Sequence, residues 1–154
     1  MGSVANTIMR IKWRSVFALL IVIGAIYFLV NSLPSSYQVK NNIALKTTAD
    51  PEVIMPGGTS TITVEVKNLD KEKSITVSVK AKTTDNSMFF STTYSGDYLK
   101  GGILIGPQES RKLNFDVKSK AGSLEGRYGI TVEAVEDGSV EGAAETVFIN
   151  VEDV

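Results

Sequence analysis

The stretch Thr61-Ile-Thr-Val-Glu-Val-Lys67 alternates polar and apolar side chains without a break. Because successive side chains of a β-strand point to opposite faces of its sheet, this alternation predicts a strand with one buried face. The turn signal Pro56-Gly-Gly58 precedes the strand, and a charged turn at 68–73 follows it. The run at 75–81 alternates in the same way, and we expect the two runs to form an antiparallel pair.

The same period of two recurs along the chain on both sides of this pair. The further alternating runs lie at 43–45, 113–117, 128–134 and 147–151. The stretch at 83–106 is irregular and rich in glycine, and it predicts one or two short strands with loops. About seven short strands, with turns between them and no helical period after Pro34, predict an antiparallel β-sandwich over residues 39–154.

Composition excludes most enzyme chemistry. The 154 residues include no cysteine and no histidine, so thiol nucleophiles, Ser-His-Asp triads and ordinary zinc or haem sites are ruled out. Three of the 16 basic residues and none of the 17 acidic residues precede residue 37, which leaves the remainder net negative, with no basic footprint for nucleic acid. We expect no cofactor, no metal and no small-molecule substrate.

An uncharged stretch lies near the N-terminus, at 15–33. A helix needs roughly 20 apolar residues to cross the hydrocarbon core of a bilayer, so we expect a transmembrane helix at 12–34. A cleaved secretory signal would end in small residues, whereas this stretch ends in bulky ones, and a buried core helix would be shorter or have a polar face. Trp13 and Tyr27 suit the two membrane interfaces, and Gly24 sits where a close helix contact is possible.

The charges around this stretch predict its orientation. Arg10, Lys12 and Arg14 lie at its start, and no basic residue follows until Lys40. The positive-inside rule therefore places the tail at 1–11 in the cytoplasm. A tether at 35–38 then leads to a domain outside the cytoplasm. The expected protein is a single-pass protein of the cell membrane, with the lipid bilayer as its first partner.

Three motifs follow one another along the predicted domain. They are Pro56-Gly-Gly with Ile62-x-Val-x-Val-x-Asn68, then Ile105-x-Pro107 with Phe115-x-Val117, and then Gly126-x-Tyr128-x-Ile-x-Val-x-Ala134. In this order they resemble the Ig-like, CARDB-type domains of archaeal and bacterial surface proteins. The resemblance implies an all-β, Ig-like sandwich after the transmembrane helix. It also implies that Tyr128 is a tyrosine-corner residue, whose hydroxyl bonds to nearby backbone.

Aromatic residues are the candidates for partner contact. They are Phe89, Phe90, Tyr94 and Tyr98 in the irregular stretch, and Phe148 in the last strand. Exposed aromatic side chains often anchor protein contacts, and the alternative is that these residues cap the core. Phe148 alternates outward and marks either a contact face or a site under a loop. The last strand is a candidate sheet edge, open to the addition of a partner's strand.

Acidic residues fall late in the chain. They are Glu133, Glu136, Asp137, Glu141, Glu145, Glu152 and Asp153. Calcium prefers several carboxylate oxygens at short range, but these residues show no EF-hand spacing. Solvated strand faces and turns explain them better than a calcium site does.

These features favour a non-catalytic accessory or structural subunit of a membrane or cell-envelope complex, such as an archaellum stator, an S-layer-contacting protein or an auxiliary subunit of a membrane enzyme. A type IV pilin-like filament subunit is the alternative, because it also joins an apolar N-terminal helix to a β-sandwich. Here no processing site is visible, and no acidic residue occurs before Asp50. A membrane-anchored Ser-Lys hydrolase is less favoured, since Ser35 and Ser36 lack the Ser-Met-x-Pro pattern of that family.

Overall fold

The computed structural model describes residues 37–153 of the chain. They form a compact unit of ten strands: β1 (Gln38–Lys40), β2 (Ile43–Asp50), β3 (Val53–Ile54), β4 (Thr59–Asn68), β5 (Ile75–Thr83), β6 (Met88–Phe90), β7 (Asp97–Ile105), β8 (Ser110–Ser119), β9 (Gly126–Glu136) and β10 (Ala143–Val151). This part of the chain contains no helix with the length and apolar character that crossing a bilayer requires. The predicted transmembrane helix, with Trp13, Gly24 and Tyr27, lies outside the described residues.

The strands form two five-stranded sheets. The first sheet has the order β1-β2-β4-β8-β6, and the second has the order β3-β10-β9-β5-β7. Neighbouring strands are antiparallel except for β3 and β10, which are parallel. The sequence predicts about seven strands because β1, β3 and β6 have only two or three residues each, too few to show an alternation. The all-β sandwich itself is confirmed.

The predicted pairing of the runs at 61–67 and 75–81 is wrong. The two runs lie in different sheets, where β4 pairs with β2 and β8 while β5 pairs with β7 and β9. At the end of β4 the Asn68 amide donates to the carbonyl oxygens of Lys73, Ile105 and Gly106. The segment after Asn68 is thereby held as a crossing between the sheets and not as a hairpin.

The core fills the space between the two sheets. In β4 the side chains of Ile62, Val64 and Val66 are fully buried, while the residues between them are half-exposed. Inward-facing residues of β5 and β9 meet them from the second sheet. Each large apolar side chain buried in this way contributes about 1.5–3 kcal/mol of transfer free energy. With no cysteine in the chain, this packing takes the place of disulfides.

One lateral side of the sandwich is closed by polar contacts. We call it the closed side, and it consists of β1, β2, β3 and β10. Here the Glu145 carboxylate accepts hydrogen bonds from the backbone N–H and the hydroxyl of Thr47, at 2.6 and 2.7 Å. Lys40 pairs with Glu141, and the salt bridge holds the pKa of the Glu141 carboxyl below its usual range. The other lateral side, the open side, consists of β7, β6 and the part of β8 that β6 does not cover.

Candidate contact surface

Three aromatic rings pack together inside the sandwich near the open side. Phe90 is fully buried, with its ring 5.3 Å from that of Phe115 and 5.7 Å from that of Tyr98. The Tyr98 and Phe115 rings stack at 4.7 Å. The prediction that Phe90 contacts a partner is therefore wrong. The side chains of β6 alternate, so Phe90 faces the core together with Met88, and Phe89 between them faces outward.

Phe89 and Tyr94 form an aromatic pair at the surface, in which Phe89 is half-buried and Tyr94 is exposed. Their rings stack with centroids 6.4 Å apart and planes 21° from parallel, and 83% of the Tyr94 surface is accessible. The Tyr94 backbone N–H donates to the carbonyl of Phe90, which holds Tyr94 at φ +50°. A bulky side chain rarely adopts this left-handed conformation, which costs about 1–3 kcal/mol. The loop at 91–96 therefore presents an aromatic ring to solvent in a fixed and strained conformation.

A shallow hollow of about 420 Å³ lies beside this pair. Asn86, Ser95 and Lys120 supply polar groups to its lining. The turn that carries Asn86 is held by Asp85, whose carboxylate accepts a hydrogen bond from the backbone N–H of Ser87 at 2.6 Å. Hydrogen bonding to Ser87 holds the pKa of the Asp85 carboxyl below its usual range. The lining of the hollow thus combines two aromatic rings with polar side chains.

A larger groove of about 1000 Å³ lies on the other side of the same loop, on the outer face of the second sheet. Lys80 and Lys82 of β5 line it, with Asp97 and Leu99 of β7 and Glu133 of β9. The pairing register places Lys80 between Glu133 and Leu99 across three adjacent strands. Ser95 lines both the groove and the smaller hollow, so the two adjoin at the loop that carries Tyr94.

Phe148 faces outward from β10 and is 42% exposed. The Arg127 guanidinium lies over its ring, 3.8 Å from the centroid, in a cation–π contact. The predicted open edge at the last strand is only partly present, because β3 pairs with Asn150 and Val151. Along the rest of β10, Glu145 points inward to Thr47. An inward-pointing charge of this kind protects an edge strand from pairing with another chain.

Tyr128 lies near the start of β9. Its hydroxyl donates a hydrogen bond to the carbonyl of Leu124, four residues earlier, at 2.7 Å. This is the geometry of a tyrosine corner, in which the hydroxyl ties the loop before the strand to the strand itself. Tyr128 is half-buried against the core and therefore serves the fold.

The late acidic residues are spread over the structure. Glu141 and Glu145 serve the closed side, and Glu133 lies at the groove. Within residues 37–153 no group of three acidic side chains is arranged to hold a metal ion. Ser35 and Ser36, the candidates for a hydrolase nucleophile, lie outside this range.

Four surface residues of the groove and the open side were not among the predicted contact residues: Lys80, Lys82, Leu99 and Leu104. The lysines are the polar half of an alternating run, which by itself indicates only a solvated face. Leu99 and Leu104 belong to β7, whose alternation is broken by Gly101 and Gly102. The exposure of Leu99 and Leu104 is visible only in the structure, and no sequence pattern indicated it.

Comparison with known proteins shows the fold. No protein-family model and no curated protein sequence matches the chain. Among solved structures, the native conformation of alpha-2-macroglobulin from E. coli is similar, with a TM-score of 0.56, 14% identity, and coverage of 74% of this chain and 7% of that one. This chain therefore matches only a small part of that protein.

Two smaller proteins match over nearly their whole length. The FixG-related protein from Vibrio parahaemolyticus has a TM-score of 0.54 and 13% identity, with 73% of this chain and 99% of that one covered. The CARDB domain of the PF1109 protein from Pyrococcus furiosus has a TM-score of 0.50 and 20% identity, with 71% and 91% covered. The CARDB-like, Ig-like β-sandwich predicted from the sequence is confirmed.

Proposed function

We propose that this protein is a non-catalytic, single-pass membrane protein whose Ig-like domain binds another protein outside the cytoplasm. It acts as an accessory or structural subunit of a membrane or cell-envelope complex. The uncharged stretch at 15–33 and the basic residues at its start support the anchor and its orientation.

The main support for a protein–protein contact is the stacked pair of Phe89 and Tyr94. Exposed tyrosine is among the residues that most often dominate binding energy at protein interfaces. An aromatic ring that is already ordered loses little conformational entropy on binding. The positive φ of Tyr94 adds to this argument, because strained backbone is concentrated at functional sites.

Membrane anchoring is tested by fractionation of cells that make the full chain. We expect the chain to stay in the membrane pellet after an alkaline carbonate wash. Protease added outside the cytoplasmic membrane should digest the domain and spare the N-terminal tail. A soluble mature protein that lacks the first 36 residues would contradict the anchor.

The partner contact is tested by purification of the full chain from native membranes in mild detergent, with quantitative mass spectrometry of what co-purifies. The variant is Tyr94→Ser, and the control is Val140→Ser, which removes another exposed apolar residue. We expect a membrane or envelope protein to co-purify with the wild type and the control, and to be lost with Tyr94→Ser. Equal recovery with all three chains would refute the aromatic contact.

A further inference from the structure

β1 covers part of the outer edge of β2 in the first sheet. Strand β2 has β4 on one side and β1 on the other, and the three residues of β1 pair with Ile43, Ala44 and Leu45. Further along the same strand, the backbone N–H of Thr47 donates to the Glu145 carboxylate. Because alternate residues of a strand direct their N–H groups to the same edge, those of Ile43 and Leu45 point to β1. β1 and Glu145 therefore share the covering of this edge.

The side chains of β1 contribute little to the core. Gln38, Val39 and Lys40 are all exposed, and 61% of the Val39 surface is accessible. The residue opposite Val39 is Ala44, whose side chain is a single methyl group. Burial of apolar surface is the main favourable term that holds a strand to its domain. Detachment of β1 uncovers little such surface, so this term does little to oppose it.

Side-chain contacts with Glu141 and Glu65 hold β1 to the rest of the sandwich. The Glu141 carboxylate pairs with the Lys40 ammonium, and the Glu141 carbonyl accepts a hydrogen bond from the side-chain amide of Asn41 at 3.2 Å. Burial and a hydrogen bond to Glu65 raise the pKa of Tyr37, which directly precedes β1. The Lys40–Glu141 pair is exposed on both sides, and ion pairs of this kind contribute little and are screened by salt.

The attachment of the chain changes at Asn42. Asn41 and Asn42 form the turn between β1 and β2, with φ of +50° and +63°, a left-handed conformation in which asparagine is enriched. The Asn42 carbonyl accepts a hydrogen bond from the backbone N–H of Leu69 at 2.7 Å. The side chains of Ile43 and Leu45, which follow it, have no exposed surface. The chain is therefore fixed to the core from Asn42 onward, whereas residues 37–41 are attached at the edge of the sheet.

We propose that residues 37–41 form a releasable strap, which detaches from β2 as a unit while the sandwich stays folded from Asn42 onward. This inference rests on the proposed function, in which a tether joins the domain to a membrane anchor. The five freed residues add about 17 Å to that tether, at about 3.3–3.6 Å for each extended residue. Phe89 belongs to β6, at the opposite edge of the first sheet, so the proposed contact surface keeps its structure. Release of the strap thus extends the reach of the domain toward its partner.

The test is native-state hydrogen exchange of the full chain in mild detergent, resolved to single amides. The amides of Ile43 and Leu45 report detachment of the strap, and the amides at 62–66 in the central strand β4 are the reference. A locked form carries Val39→Cys with Ala44→Cys. These two residues face each other across the ladder at a separation that a disulfide spans, and the chain has no cysteine of its own.

We expect the Ile43 and Leu45 amides to exchange at least about 100-fold faster than the reference amides, relative to their intrinsic rates. Dilute denaturant should leave this rate unchanged, because a local opening exposes little surface. In the oxidised locked form the exchange of both amides should slow at least about tenfold, and reduction should restore it. Glu141→Gln should speed it about two- to fivefold, because the ion pair with β1 is lost. Glu52→Gln removes an equal charge at an exposed position away from β1, and should change it less than about 1.5-fold.

Two outcomes would overturn the inference. If Ile43 and Leu45 exchange at the rate and with the denaturant dependence of the reference amides, β1 opens only when the whole domain unfolds. If their exchange is fast but the disulfide does not slow it, the opening is not a detachment of β1. The result is separate from the test of the anchor. An anchored chain whose β1 stays closed refutes the strap alone, whereas a soluble chain whose β1 opens refutes the anchor and leaves the release of β1 established.

Discussion

The carboxylate of Glu145 in β10 accepts two hydrogen bonds from Thr47 in β2, one from the backbone N–H and one from the hydroxyl. Thr47 is buried and lies in the first sheet, whereas Glu145 lies in the second, so this contact ties the sheets together. Hydrogen bonds to a charged acceptor are stronger than those between neutral groups.

Loss of this contact should destabilise the domain. We expect Glu145→Ala to lower the free energy of unfolding by about 1–3 kcal/mol, because the Thr47 N–H and hydroxyl remain without their acceptor. The measurement is denaturant unfolding of the full chain in mild detergent. Glu133→Ala, on the outer face of the neighbouring strand β9, is the control and should change stability by less than about 0.5 kcal/mol. Equal effects of the two variants would contradict the structural role of Glu145.

Asn68 is fully buried and joins two loops at one end of the sandwich. Its amide donates to three carbonyl oxygens, and its side-chain oxygen accepts from the Asp70 N–H at 2.9 Å. We expect Asn68→Ala to cost about 2–4 kcal/mol, since these groups lose their partners while still buried. Asn114→Ala, at an exposed position of β8, should be nearly neutral in the same unfolding assay. A neutral Asn68→Ala would show that water replaces the amide.

Two consecutive aromatic residues should differ sharply in their effect on stability. Phe90→Ala removes a buried ring from the aromatic cluster and should cost about 3–5 kcal/mol. Phe89→Ala removes an outward ring whose stacking contributes no more than about 1.5 kcal/mol. Thermal or denaturant unfolding of the two variants measures the difference. Similar losses would mean that the register of β6 is different from the one described.

Gly142 lies where no other residue fits. A Cβ added at this position would overlap the carbonyl oxygen of Ala134 in the adjacent strand. We expect Gly142→Ala to cost more than about 2 kcal/mol, because backbone atoms have to move. Gly122→Ala is the matched control: its added Cβ meets no atom within 4 Å, and the change should lie between neutral and about 1 kcal/mol stabilising. Comparable stability of the two variants would place the start of β10 further from β9.

The stability of the domain depends on pH through the carboxyl group of Asp70. The backbone N–H groups of Glu72 and Lys73 donate to its carboxylate, and they hold the pKa of Asp70 below its usual range. Because the folded-state pKa is lowered, this contribution to stability is present above the ordinary pKa of aspartate. It is lost as the pH falls through the lowered value.

Comparison of unfolding at about pH 7 and about pH 3 measures this contribution. We expect the loss of stability on acidification to be smaller in Asp70→Asn than in the wild type, because the asparagine side chain does not titrate. Asp50→Asn removes an equal formal charge and is the control for net charge. A larger loss in Asp70→Asn than in the wild type would contradict the assigned hydrogen bonds.

The sequence predicted the buried faces well and the neighbours of each strand poorly. The alternation of Ile62, Val64 and Val66 reports local burial, which depends only on the strand's own period. The choice between a hairpin and a crossing after Asn68 depends on hydrogen bonds to residues nearly forty positions away. Nothing within the run at 61–67 encodes that choice.

The candidate contact residues show the same limit. Phe89 and Phe90 are chemically identical neighbours, and only the short strand β6 decides which of them faces the core. β7 could not be predicted from the sequence as one strand, because Gly101 and Gly102 interrupt its alternation of polar and apolar residues. Its role as an edge strand depends on the order of the whole sheet, which no local pattern contains.

Sealing of one border of the second sheet limits how large an assembly can grow through main-chain pairing. A sheet with two free borders can extend indefinitely, because each added molecule provides a further unpaired edge strand. Here Glu145 and β3 block one of them, so at most the border at β7 remains. Continuous polymers built by pairing through this sheet are therefore disfavoured.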